Sequence, residues 1–225
     1  MAKLFLFDID GTLVQSSPHT AFIDSIKKLH GITIEDNHAS YSGLTDKIIL
    51  ELMLEAQGWD SSKIKLHLPA LLEEFERAHD GLFKKGSIRL LPGVKKLLVA
   101  LQKRNASVGL ITGNLESRAK KKLQDAGVWH YFKFGGYGSD PHDKRSDLVL
   151  IAVKKADFDI KDPNIYVVGD TPRDIEAAAD AGVKNKIGVA TGTSSIRELQ
   201  AAGADVVFED FADTSKVLRA FGLTE

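Results

Sequence analysis

The sequence predicts an α/β protein: a doubly wound, Rossmann-like parallel sheet with a small all-helical domain inserted after its first strand. Three observations lead there. The continuous apolar run Leu4-Phe5-Leu6-Phe7 suits a parallel strand covered on both faces. Apolar residues then recur at helical spacing over a long stretch without a convincing strand. Beyond it, helical and strand patterns alternate, as they do in crossover-linked parallel sheets.

In the inserted stretch, Phe22, Ile23, Ile26 and Leu29 mark one helical face that Gly31 ends. Ile48, Ile49, Leu52, Met53 and Ala56 repeat the pattern before Gly58, and Leu71, Leu72, Phe75 and Leu82 give a third helix that ends near Gly86. The helical domain is thus expected over residues 14–86, with a core formed by residues 1–13 and 87–225. In the core the pattern gives a helix over 94–101, a strand over 106–111 and a helix over 115–126. The last of these shows Leu115, Ala119, Leu123 and Ala126 on one face. A short strand over 132–134, a helix over 146–156, a strand over 165–168 and a helix over 172–181 follow. A strand over 186–189, a helix over 195–202, a strand over 205–208 and a last helix complete the alternation. No internal repeat and no low-complexity segment interrupts it.

A chain of 225 residues buries roughly 70% of the surface its unfolded form exposes, so it needs no covalent staples. Its hydrophobic content of 43% and charged content of 27% are ordinary for a globular protein. The net charge of -1 and pI of 6.7 lack the basic excess of proteins that work on nucleic acid or anionic membranes. With no cysteine, disulfides, thiolate metal sites and cysteine nucleophiles are excluded. The run Leu4–Phe7 is too short for a signal-peptide core or a membrane span, and no later stretch reaches the apolar length required. A cytoplasmic monomer or homodimer with no nucleic-acid or membrane partner is expected.

Open α/β sheets bind ligands beyond the carboxyl ends of their strands. Three strands here end in polar groups: Asp8-Ile9-Asp10-Gly11-Thr12, then Thr112-Gly113-Asn114, then Gly169-Asp170 with Asp174 one helical turn on. Gathered carboxylates repel one another and favour a hard divalent cation such as magnesium, which takes carboxylates, water and substrate phosphate as ligands. Asp8 and Asp170 suit that role. Aspartate is also an established nucleophile in phosphoryl transfer, and Asp10 is placed to act as acid and then base. The Thr112 hydroxyl and the free N–H groups of the helix that follows suit phosphate oxygens.

Each element also has a plainer explanation. Asp and Gly are ordinary turn residues, Asn114 can cap a helix, and Thr171-Pro172 with Asp174 makes a good helix start. For Asp174 alone, capping and metal-site support weigh evenly. The three strand ends taken together point to chemistry.

Phe7-Asp8-Ile9-Asp10-Gly11-Thr12-Leu13, Ile111-Thr112-Gly113-Asn114 and Val168-Gly169-Asp170-Thr171-Pro172-Arg173-Asp174 resemble motifs one, two and four of the haloacid dehalogenase superfamily. The resemblance spans nearly the whole chain, including Leu91-Pro92-Gly93 and an inserted helical cap, and is strongest to phosphoglycolate-phosphatase-like members. It implies a magnesium-dependent phosphatase that hydrolyses a small phosphorylated metabolite through an aspartyl-phosphate on Asp8. Asp10 would be the general acid/base, and Asp8, the main-chain carbonyl of Asp10 and Asp170 would hold Mg2+. Asp174 would support the metal directly or through water. Thr112 and the N–H of Gly113 would bind the transferring group, with Asn114 beside them.

The third motif departs from the family pattern. Relatives usually place a lysine before the helix that follows the third strand, whereas this chain has Lys144-Arg145-Ser146. The site calls for a cation that neutralises phosphoryl charge. Arg145 is favoured for it over Lys144. In the cap, Ser42-Gly43-Leu44-Thr45-Asp46 resembles a substrate-facing loop, with Thr45 as its candidate contact, although a helix start explains it almost as well. Lys120-Lys121-Lys122 is expected to be a solvated helix face, the histidines to be surface or interface groups, and Trp129, Tyr131 and Phe132 to be core. A phosphomutase of the beta-phosphoglucomutase kind is the nearest alternative. Dehalogenation is disfavoured because relatives that attack carbon lack the second aspartate. A receiver-type signalling module is disfavoured because its accepting aspartate ends the third strand, not the first.

Overall fold

Alternate residues of the first strand, β1 (Leu4–Phe7), point into two different hydrophobic clusters, Phe5 and Phe7 to one side and Leu4 and Leu6 to the other. That is the arrangement of a strand covered on both faces. The computed structural model describes residues 2–15, 20–35 and 41–223.

Among the described residues, β1 is followed by three helices, α1 (Thr20–His30), α2 (Asp46–Glu55) and α3 (Ser61–Leu82). The remainder runs α4 (Val94–Lys103), β2 (Ser107–Thr112), α5 (Glu116–Asp125), a 3-10 turn (Trp129–Tyr131), β3 (Gly135–Tyr137), α6 (Arg145–Lys155), β4 (Ile165–Gly169), α7 (Pro172–Asp180), β5 (Asn185–Val189), α8 (Ile196–Ala201), β6 (Val206–Phe208) and α9 (Thr214–Ala220). All neighbouring strands pair in parallel, in the order β3-β2-β1-β4-β5-β6. Buried residues of α4, α5 and α9 cover one face of the sheet, while those of α6 and α7 cover the other. The predicted doubly wound sheet is what forms.

The three inserted helices share a core of their own. Phe22 and Ile26 of α1, Ile49 and Met53 of α2, and Leu71 and Phe75 of α3 are buried together, and the Phe22 and Phe75 rings stack at 4.2 Å. Val14, the first residue of the expected helical domain, belongs instead with the sheet: it bridges to Leu90 and lies in the same cluster as Phe5 and Phe7.

Two elements differ from expectation. The third strand is Gly135–Tyr137, not 132–134. Glycines usually weaken a strand, but here they permit close packing, since a Cβ on Gly136 would collide with the backbone of Leu148 in α6. The third helix begins ten residues earlier than Leu71, at Ser61, and runs through Pro69. Burial of Ile64 and Leu68 ahead of the proline outweighs the lost amide donor.

Candidate active site

Because β2, β1 and β4 are neighbours, their carboxyl ends bring Thr112, Asp8 and Asp170 to one place. Asp8, Asp170 and Asp174 are buried, and each offers a carboxylate oxygen within 4.8 Å of the others. Thr12 donates its hydroxyl to Asp170 at 3.0 Å. Gly11 makes the turn with a φ of 83°, and a Cβ there would run into the Asp170 carboxylate, so the position demands glycine twice over.

Arg145, the first residue of α6, enters this cluster. Its Nη2 donates to Asp8 at 3.0 Å, its Nε and Nη2 both reach Asp174, and its Nη1 donates to the Gly43 carbonyl at 2.9 Å. Lys144 has an exposed side chain and serves as the N-cap residue of α6, its backbone N–H donating to Asp147 at 3.0 Å. The cation beside Asp8 is therefore Arg145.

Asp174 has both of its carboxylate oxygens engaged by the protein. One accepts from Arg145 and the other from the backbone N–H and hydroxyl of Thr171, closing a capping box at the start of α7.

A second network surrounds Asp10. Lys122 of α5 donates to its two oxygens at 2.8 and 2.6 Å and to Asn114 at 2.9 Å. The Asn114 amide in turn donates to Asp10 at 2.8 Å and to the Thr112 hydroxyl at 2.7 Å. Lys122 is 1% exposed. The expectation of a solvated Lys120-Lys121-Lys122 face is thus wrong for its last member: helical spacing carries Lys122 inward with Arg118 and Ala119, while Lys120 faces out. The spacing was visible in the sequence as the run Arg118, Ala119, Lys122, Leu123.

The loop before α2 packs over the site. Gly43, Leu44 and Asp46 line a cavity of about 80 Å³ with Asp8, Thr112 and Arg145. Thr45 turns away from that cavity; its hydroxyl accepts the N–H of Ile48 as N-cap of α2 and meets His142 at 3.4 Å. Asp46 ties the helices to the sheet, accepting the N–H of Leu115 at 2.9 Å and a buried bond from Arg118 at 2.5 Å. The Arg118 guanidinium also lies 4.6 Å from the Phe75 ring centre. Gly113 completes this joint, its carbonyl accepting the Asp46 N–H at 2.8 Å. His79 is buried in α3, and burial with the nearby Arg118 charge pushes its pKa down to about 3. His19 and His38 lie outside the described residues.

The electrostatics favour a bound cation. Burial, then the Asp174 charge, pushes the Asp8 carboxyl up to about 8, against the opposing pull of Arg145. Asp170 is raised well above the usual carboxylate range by burial and by Asp174 and Asp8. Burial would raise Asp10 as well, but the Lys122 charge and the hydrogen bonds from Lys122 and Asn114 outweigh it and hold Asp10 below its ordinary value. With all four carboxylates (Asp8, Asp10, Asp170 and Asp174) ionised against two cations, Lys122 and Arg145, two negative charges are left for a bound ion to neutralise. An all-oxygen donor set of that charge fits a hard divalent ion.

Fold and site together define an enzyme built on a doubly wound sheet, with paired aspartates on its first strand end. The profile of haloacid dehalogenase-like hydrolases matches residues 5–187. A phosphoglycolate phosphatase of Photorhabdus laumondii is 27% identical over 215 residues, covering 94% of this chain and 90% of its own. One from Synechococcus elongatus is 26% identical over 218 residues, covering 94% of each. The solved beta-phosphoglucomutase of Clostridium difficile superposes with a TM-score of 0.77 at 19% identity, over 99% of this chain and 98% of that one, a likeness of fold. The chain belongs to the haloacid dehalogenase-like hydrolases. Among the described residues no helix is long and apolar enough to cross a membrane.

Proposed function

We propose that the protein is a magnesium-dependent phosphatase that hydrolyses a small phosphorylated metabolite through an aspartyl-phosphate on Asp8. The observation that carries this reading is Arg145 donating to Asp8 at 3.0 Å within a cluster of carboxylates that lacks two positive charges. Asp8, Asp170 and the main-chain carbonyl of Asp10 would hold the ion, with Asp174 behind them. When bound, Mg2+ supplies positive charge that draws off the negative charge of the phosphoryl oxygens. Asp8 attacks phosphorus while Arg145 and Thr112 bind the equatorial oxygens, and Asp10 protonates the departing oxygen. Water then attacks the aspartyl-phosphate as Asp10 takes its proton, and inorganic phosphate leaves.

The helical domain formed by α1, α2 and α3 would act as the cap. It would exclude water from the nucleophile and select the substrate through the loop at Gly43, Leu44 and Asp46. The cavity of about 80 Å³ favours a small leaving group. Because relatives carry the name phosphoglycolate phosphatase, 2-phosphoglycolate belongs in the first panel of phosphometabolites to be screened. Phosphate release with Mg2+, its loss on chelation and its absence in Asp8→Asn are the expected results. Full activity in Asp8→Asn would remove the nucleophile assignment, and isomerised sugar phosphate without phosphate release would favour a mutase.

A further inference from the structure

A buried lysine ammonium is costly unless every donor is used. Lys122 meets that condition: its three donors are matched by three acceptors, the two Asp10 oxygens and the Asn114 carbonyl oxygen. Asn114 braces the same carboxylate from its amide and is itself tied to Thr112. The Asp10 side chain, a quarter exposed, is thereby fixed at the cavity wall by groups that are themselves buried.

We propose that Lys122 is a positioning residue for the second half of the reaction: with Asn114 it holds the Asp10 carboxylate where one lone pair faces the water that attacks the aspartyl-phosphate. In that step the water oxygen bonds to phosphorus and a water proton passes to Asp10. The bond from phosphorus to the Asp8 oxygen breaks, its electron pair returning to Asp8, and phosphate departs. Lys122 exchanges no proton and touches neither phosphorus nor water. Its contribution is orientation, and misplacing a reacting group by about 1 Å costs on the order of 10²-fold in rate.

The inference rests on the proposed roles of Asp8 and Asp10, and one experiment separates the three. With p-nitrophenyl phosphate, whose leaving group departs without protonation, rapid mixing in Mg2+ resolves a burst of nitrophenolate from the steady rate that follows. The burst amplitude counts folded, active sites, so a partly unfolded preparation does not distort the comparison. Lys122→Met is expected to keep a burst within about tenfold of the wild-type rate while steady turnover falls roughly 10²-fold, with phosphoenzyme accumulating. Lys122→Arg should recover part of the steady rate. If Lys122→Met yields no folded protein, Lys122→Gln, which retains a donor, is measured in its place and should show the same imbalance.

Asp10→Asn should show the burst and the slow second phase more strongly. An Asp10→Asn enzyme with that imbalance beside a Lys122 variant without it would overturn the positioning role alone. Loss of the imbalance in Asp10→Asn would overturn the role of Asp10, and turnover in Asp8→Asn would overturn the nucleophile.

Discussion

Arg145→Ala removes the cation that sits against the nucleophile, and its effect can be sized from the contacts. Two unit charges 3.0 Å apart attract by about 5–6 kcal/mol at an effective dielectric of 20. Burial of the pair takes back much of that, because both charges leave water. What is lost in the transition state is closer to that of a preorganised donor to developing negative charge, about 2.7–4 kcal/mol or 10²–10³-fold in kcat. Arg145→Ala is therefore expected to lower kcat by roughly that factor. Lys144→Ala should change it by less than about twofold: its side chain is exposed, and the cap bond it makes runs from its backbone. Its stability should also stay within ~0.5 kcal/mol of wild type. Steady-state kinetics on both variants, with thermal melts to confirm folding, test this. A severe loss in Lys144→Ala beside a nearly normal Arg145→Ala would refute the reasoning.

Three further outcomes follow from the same geometry. Asp170→Asn should weaken Mg2+ binding more than Asp10→Asn, because the metal contact of Asp10 is assigned to its backbone; calorimetric titration showing the reverse order would exchange the roles. Asp8 and Asp170 have raised pKa values in the folded metal-free protein. Folding therefore binds protons that the unfolded chain has released. The stability this confers is full below pH ~4 and fades as pH rises towards 8, with a slope of up to about 1.4 kcal/mol per pH unit for each group. Mg2+ replaces those protons, so it should raise Tm more at pH 8 than at pH 5, and equal shifts would contradict the assignment. Asp46→Ala strands the buried Arg118 charge and should cost about 3–5 kcal/mol in denaturant unfolding, whereas Glu51→Ala, in a partly exposed pair with Lys47, should cost under ~1 kcal/mol.

The alternation of strands and helices was legible because it depends on local signals: continuous apolar runs, helical periodicity and the glycines between them. β1, β2, β4 and β5 fall within a residue or so of expectation. The third strand escaped because its central glycine, Gly136, is demanded by Leu148 of α6, a partner further along the chain. A local pattern cannot report that. The first part of α3 escaped for the same reason: it is held by buried contacts with α1 and α2 on both sides of Pro69.

In the site, the residues at strand ends were found and those on helix faces were not. Asp8, Thr112 and Asp170 are announced by the strands that carry them, and Arg145 by its place before a helix. Lys122 and Arg118 sit four residues apart on α5, in a segment whose charges look solvated until the partners are known. Those partners, Asp10 and Asp46, lie 112 and 72 positions away, and only the closed sheet and the packed helices bring them together.

Asp174 shows how two explanations of one residue can both hold. The sequence left helix capping and metal support evenly weighed, and the structure gives its carboxylate to both tasks at once. One oxygen closes the capping box with Thr171, and the other holds Arg145. The capping bonds fix the carboxylate, the carboxylate fixes the guanidinium, and the guanidinium meets Asp8 at 3.0 Å. With both oxygens already occupied by the protein, Asp174 can shape the site without being a direct ligand of the ion. It also acts on the nucleophile directly, by repulsion, so removing Asp174 should lower the Asp8 pKa, whereas removing Arg145 should raise it.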